Sequence, residues 1–248
     1  MSYRIKQLFN YLGFPPPLWT TNSPTRIYEY KRIFEGVKVS ENEKALDFGC
    51  GAGIFTFKLA RLFNHVIGID KNETMIKQAN RYKRRFLRKS HIEFMPGRIE
   101  ELEFPAGYYN KIFCVCVLQL VENLPTVLGE MYRVLSSGGE IRMTVDSFDY
   151  VTDQAVKENY RKRHQIFEYF TEESISRYLH NAGFKIETIE PILTGKTAKS
   201  HFQDYLIGKQ TTYSLLTRYK MYRKIILEDQ ACQDADKQGA ELFVIAKK

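Results

Sequence analysis

Long apolar runs are missing from this chain. No stretch of its 248 residues approaches the roughly 18 uninterrupted apolar residues of a membrane-spanning helix. The opening MSYRIKQLFNYLGF has no apolar core running to a small-residue cleavage site, so no secretory leader is expected. Cysteine is scarce: Cys50, Cys114, Cys116 and Cys232. Cys114 and Cys116 would share one face of a strand, but no second Cys or His pair stands at zinc-finger spacing. Buried free thiols in a reducing cytoplasm are the expectation. Internal repeats and low-complexity tracts are also lacking, which excludes solenoids and linker-rich architectures.

What is present is a chain with 44% hydrophobic residues, enough to bury the core of one large α/β domain. The net charge of +8 is concentrated in RYKRRFLRK, residues 81–89, whose six basic residues leave only +2 for the rest. Such a run reads first as a solvated helix face with its stems lying over apolar surface, and second as a nucleic-acid footprint.

Short apolar runs alternate with helical patterns from residue 44 to 191. Strands are expected at KALDFG, HVIGID, IEFMPG, KIFCVCVLQLV, EIRMTVDSF and KIETIEPI, with ELFVIAKK as a seventh. Helices are expected from Ser23-Pro24 through TRIYEYKRIFEGV to about Gly36, in IFTFKLARLF, in NETMIKQANRYKRRFLR and in LPTVLGEMYRVLSSGG, whose paired glycines suit a C-cap. A further helix opens at Thr171, with Ser174 giving an imperfect capping box. This order predicts a single domain of α/β class, with a mostly parallel sheet and helices on both faces. The core falls at about 37–146, 171–191 and 241–248. Segments 1–30, 147–170 and 192–240 fall outside the alternation.

The loop LDFGCGAG, residues 46–53, carries the chemistry. A phosphate loop needs a following Gly-Lys-Ser/Thr, which is absent. A dinucleotide fingerprint needs a third glycine at position 54, which is Ile54. The pattern is instead Asp47-x-Gly49-x-Gly51-x-Gly53, and the next strand ends at Asp70, where a carboxylate can accept both hydroxyls of a ribose or cap the following helix.

These stretches resemble the class I S-adenosylmethionine-dependent methyltransferases. ALDFGCGAGIFTFKLA is similar to that family's first motif and VIGIDKNETMIKQA to its second; NKIFCVCVLQLVENL and EMYRVLSSGGEIRM resemble its fourth strand, fifth helix and fifth strand. The resemblance implies a Rossmann-like seven-stranded sheet with a parallel sixth strand, an antiparallel last strand and a helical lid. It implies S-adenosyl-L-methionine as cofactor, with S-adenosyl-L-homocysteine as product. Asp47, Gly49, Cys50, Gly51, Gly53, Asp70, Lys71, Met75, Arg98, Ile99, Cys116 and Val117 would line the cofactor. Loop amides would meet its tail carboxylate, Asp47 its ammonium and Met75 its adenine. Arg98 stands where relatives carry Asp, leaving the backbone of Ile99 for the adenine amino group. Leu120 stands where many carry a His base.

In that topology segments 1–30, 147–170 and 192–235 gather over the cofactor mouth as a lid. Tyr11, Trp19, Tyr28, Gln119, Leu120 and Tyr205 are candidate substrate contacts, and His201, His164 and Asp146 candidate bases. No catalytic metal is expected, because the fourth strand ends in CVCVLQ rather than a carboxylate. The reading is a cytoplasmic O- or N-methyltransferase of a small, anionic or aromatic substrate. The alternatives are an RNA or protein methyltransferase, a non-catalytic cofactor-binding scaffold, and a lyase or cyclase.

Overall fold

The computed structural model describes residues 23–40, 42–86, 91–206, 215–231 and 238–248. Tyr11, Trp19 and Cys232 lie outside these residues, as does the end of the basic run.

Seven strands form one sheet: β1 (Lys44–Phe48), β2 (His65–Asp70), β3 (Ile92–Pro96), β4 (Tyr109–Val115), β5 (Leu135–Asp146), β6 (Lys185–Ile192) and β7 (Glu241–Lys247). Their order is β3-β2-β1-β4-β5-β7-β6. The first five pair in parallel; β7 wedges between β5 and β6 and runs against both. The order reverses between β1 and β4, so the loops after these strands turn opposite ways and open a crevice at the sheet's carboxyl edge.

The helices are α1 (Pro24–Phe34), α2 (Thr56–Leu59), α3 (Glu73–Phe86), α4 (Leu124–Val134), α5 (Gln154–His164), α6 (Glu172–Asn181), α7 (Lys196–Leu206) and α8 (Leu215–Ala231). One face of the sheet packs Leu128 and Met131 of α4 and Ile175 and Leu179 of α6 against Leu46, Ile112 and Val244. The other packs Tyr30 and Ile33 of α1 with Tyr160 of α5, Phe202 of α7 and Ile225 of α8, around Phe113 and Phe243. Sidedness follows from strand alternation, with Cys114 on the first face and Phe113 on the second.

Several local expectations needed correction. The run IFTFKLARLF keeps only one helical turn, Thr56–Leu59, because its aromatics are drawn into the core on irregular backbone. The glycine pair Gly138-Gly139 does not cap α4; that helix stops at Val134, and β5 starts at Leu135. The box at Thr171 closes fully: its hydroxyl accepts the Ser174 N–H at 3.1 Å, and Ser174 Oγ accepts the Thr171 N–H at 3.0 Å. Cys116 does not share a strand face with Cys114. The strand ends at Val115, and Cys116 has φ +52°, which turns its thiol toward α1.

Arg142 fastens α1 to the sheet. It lies 5% exposed on β5, pairs with Glu140, and donates from Nη1 to the carbonyls of Ile33 (3.0 Å) and Glu35 (2.6 Å), where α1 ends and its last carbonyls lack helical partners.

Candidate functional site

The crevice holds two cavities. The first, of about 250 Å³, lies against Gly49 and Asp70 on one side and Val117 and Leu120 on the other, with Lys71 and Arg98 at its rim. Its floor is the glycine loop. Gly49, Gly51 and Gly53 take φ of +73°, +52° and +81°. A Cβ on Gly49 would come within 2.3 Å of Val117 Cγ2, and one on Gly53 within 2.5 Å of the Phe94 ring.

Asp70 ties this floor to the next loop. Oδ2 accepts the Gly51 N–H and Oδ1 the Asn72 N–H, both at 2.8 Å. Asn72, rather than Asp70, caps α3, accepting the N–H groups of Thr74 (3.0 Å) and Met75 (3.3 Å). The loop amides, expected to face a ligand, turn inward instead. Gly49 and Cys50 N–H both donate to Ile69 O, Gly51 N–H to Asp70, and Gly53 N–H to Cys50 O. The loop's contribution is therefore close approach rather than a row of free donors.

Among the expected cofactor residues, Gly49, Asp70, Lys71, Arg98, Cys116 and Val117 line the cavity. Asp47 does not. It is 2% exposed beneath the loop and accepts the Thr56 hydroxyl. Burial raises its carboxyl to about 7, with the Thr56 hydrogen bond opposing. Cys50 is buried against Gly68 under the loop, and Ile99 is fully buried in the first core. Met75 sits exposed on α3. Arg98 pairs with Glu100 at 2.8 Å.

A second cavity, of about 320 Å³, adjoins the first; Cys116 and Leu120 line both. Asp146 at the end of β5 and Glu241 at the start of β7 are register partners, so two carboxylates meet on neighbouring strands. Arg26 and Glu29 enter from α1 and pair with each other; the Cys116 thiol donates to Glu29 Oε2 at 3.6 Å. Gln119 stands beside them, 3% exposed. His164 packs at a tilt against Tyr160 with ring centroids 4.4 Å apart, and His201 Nε2 is 3.2 Å from Ser23 Oγ. Burial lowers both histidines below their ordinary value, which favours neutral imidazole.

Of the candidate substrate residues, Gln119 and Leu120 line this chamber. Tyr28 lines neither cavity; its hydroxyl donates to Asp229 of α8. Tyr205 lies on α7. The three candidate bases Asp146, His164 and His201 are brought together in one cavity. Arg26, Glu29 and Glu241 were missed by the sequence reading. Arg26 and Glu29 look like a surface pair at i, i+3, and Glu241 looks like a strand boundary. The available signal was that an antiparallel β7 must start opposite the residue that ends β5.

Burial also holds the Asp146 carboxyl up, to about 7, despite the attraction of Arg26. An acid raised in the folded state binds its proton more tightly there than in the unfolded chain. Its neutral form is then compatible with the fold at low pH, and stability is lost as pH climbs from the ordinary value of 3.8 toward 7. Asp146→Asn removes this loss. Relative to wild type, the variant is expected to gain about 2 kcal/mol, several degrees of melting temperature, as pH rises from about 4 to about 7, and no more above that. Differential scanning fluorimetry across that range measures it, and a constant gap contradicts the assignment.

Residues 39–218 match the family described as "Methyltransferase domain". The chain belongs to this methyltransferase-domain family. Its curated relatives include the arsenite methyltransferase of Mus musculus, 35% identical over 112 residues, 41% of this chain and 30% of that protein. The sterol 24-C-methyltransferase of Debaryomyces hansenii is 25% identical over 162 residues, 61% of this chain and 42% of that protein. The matched stretch therefore spans under half the length of these relatives. Among solved structures, geranyl diphosphate C-methyltransferase from Streptomyces coelicolor, in complex with Mg2+, geranyl diphosphate and S-adenosyl-L-homocysteine, superposes with a TM-score of 0.69. It is 13% identical, covering 90% of this chain and 79% of that one.

The cofactor of this methyltransferase domain is S-adenosyl-L-methionine. The first cavity fits it: Asp70 presents a carboxylate at its wall, and Gly49, which has no Cβ to strike Val117, lets the Val117 side chain close the cavity over the loop. Gly49→Ala is expected to weaken S-adenosylhomocysteine binding at least about tenfold. It combines the left-handed penalty, about 1 kcal/mol, with the collision at Val117. Adding Val117→Ala should recover part of the affinity in calorimetry; no recovery would assign the effect to the backbone alone.

The basic run is partly tied down. Lys83 of α3 donates to the carbonyl of Ile92 on the edge strand β3. Among the described residues no helix is long and apolar enough to cross a membrane.

Proposed function

We propose that the chain is a methyltransferase that moves the methyl group of S-adenosyl-L-methionine to an oxygen or nitrogen of a small molecule enclosed beside the cofactor. The observation that carries this reading is the shared wall. Cys116 and Leu120 line both cavities, so a donor in one faces an acceptor in the other. The bound cofactor supplies an electrophilic methyl group on a sulfonium sulfur. The chain supplies alignment, which governs the rate of an in-line displacement.

Asp70 holds the ribose while keeping the loop closed through Gly51 and Asn72. Val117, seated over Gly49, fixes the depth of the nucleoside. α5 and α7 form walls of the second chamber through Tyr160, His164, His201 and Phe202, and their rings keep water from the acceptor. Asp146, poised near neutrality, and the neutral imidazoles of His164 and His201 are the groups to take an acceptor's proton.

The test is twofold. S-adenosylhomocysteine binding is measured by calorimetry, and methyl transfer from labelled S-adenosylmethionine is followed over a panel of small hydroxyl and amino compounds. Binding with transfer to some panel members is expected. No binding overturns the reading; binding with no transfer to any member leaves a scaffold in its place.

A further inference from the structure

The second cavity contains more buried acceptors than the protein itself satisfies. Glu241 is 0% exposed, and neither of its carboxylate oxygens has a hydrogen-bond partner among the described residues. Glu29 Oε1 and Gln119 Oε1 share that condition, at 1% and 3% exposure. All three side chains line the cavity, next to Asp146. Leaving a buried carboxylate unsatisfied costs far more than hydrogen bonding it, and native interiors avoid this without a reason. Burial and the neighbouring acids hold the Glu241 and Asp146 carboxyls up, because the cluster lacks positive charge: its single strong donor, the Arg26 guanidinium, is already engaged with Glu29.

We propose that this chamber binds its substrate through an organic ammonium group seated on Glu241, Glu29, Asp146 and Gln119, next to Cys116. The inference rests on the second cavity being the substrate chamber. An ammonium presents several N–H donors to the unpartnered oxygens of Glu241, Glu29 and Gln119, and its charge makes each bond stronger. The carboxylates also offset repulsion between that cation and the cofactor's sulfonium. Tyr160 and Phe202 face the same space and suit an apolar or aromatic body behind the nitrogen. This replaces the expectation of an anionic substrate: the chamber's uncommitted groups are acidic rather than basic.

A divalent cation is the competing occupant, since Glu29, Cys116 and Glu241 each bring one ligand atom within 4.8 Å of the others. Two observations favour the ammonium. Burial holds the Cys116 thiol well above its ordinary value, so it stays protonated and is a poor ligand. A cavity of about 320 Å³ with aromatic walls is shaped for a molecule rather than an ion.

The experiment uses the full chain saturated with S-adenosylhomocysteine and three probes that share a phenyl ring, benzylamine, benzyl alcohol and benzoate, with ZnCl2 and MnCl2 alone as metal controls. Calorimetry or saturation-transfer NMR at neutral pH should show benzylamine binding at least about tenfold more tightly than benzyl alcohol, with benzoate weakest. Glu241→Gln should weaken benzylamine by about tenfold or more and leave S-adenosylhomocysteine affinity within about twofold. Glu29→Gln gives a second readout should Glu241→Gln fold poorly, and the three-probe comparison on the wild type needs no variant. Equal binding of amine and alcohol overturns the proposal. So does tight Zn2+ or Mn2+ binding that is lost in Glu241→Gln while benzylamine shows no preference. Failure of S-adenosylhomocysteine to bind the wild type would instead overturn the methyltransferase reading and is seen before any probe is added.

Discussion

Asp70→Ala is expected to weaken S-adenosylhomocysteine binding by about 100-fold while the protein stays folded. The carboxylate has three partners to lose. Two are the amides of Gly51 and Asn72, each held at 2.8 Å; the third is the ribose of the proposed ligand. Hydrogen bonds to a charged group contribute roughly 1.5–3 kcal/mol each, and about 3 kcal/mol corresponds to a hundredfold in affinity. The amide bonds also join the loop after β1 to the loop after β2, so their loss loosens the floor as well as removing a contact. Asp70→Asn keeps one acceptor oxygen and should retain an intermediate affinity. Calorimetry with unfolding curves for each variant separates binding from folding. An unchanged affinity in Asp70→Ala contradicts the placement of the ribose.

The second large effect belongs to a residue remote from both cavities. Arg142→Met is expected to cost about 3–5 kcal/mol in urea unfolding. The change strips Glu140 of its buried partner and leaves the Ile33 and Glu35 carbonyls at the end of α1 without donors. Removing both charges is milder than removing one, so Glu140→Gln added to Arg142→Met should recover 1 kcal/mol or more, as a rough figure. Because α1 carries Arg26 and Glu29 into the chamber, the single variant should also lose benzylamine affinity before it loses S-adenosylhomocysteine affinity. Equal loss of both, or no loss of stability, contradicts this account of the anchor.

Periodicity and punctuation made all seven strands legible, because each is a short apolar run bounded by turns or helical patterns. The antiparallel β7 and the cofactor loop were legible through their resemblance to a family. What escaped depended on tertiary register or on backbone hand. Cys116 was assigned to a strand face because nothing in CVCV announces φ +52°, the turn that sends its thiol across the sheet to Glu29. Tyr28 looked like an aromatic lid residue because its partner Asp229 lies in α8, far along the chain. Ser174 completes a capping box usually closed by Glu or Gln, since its shorter side chain still reaches the Thr171 amide. Glu241 could be placed beside Asp146 only once β7 was paired with β5.

That pairing has a kinetic consequence. β6 touches the sheet only through β7, and Glu241 meets Asp146 only once β7 has threaded antiparallel between β5 and β6. The parallel half, β1 to β5 with the glycine loop, can assemble from sequence-near βαβ units and so should form early. The acidic chamber depends on a contact of long sequence separation and on loop closure. In refolding followed by hydrogen exchange, protection should reach β1, β2 and β4 first and β6 and β7 last. Competence to hold the nucleoside would then precede competence to hold the acceptor. A chain caught between the two stages would carry the methyl donor with its acceptor chamber still unassembled.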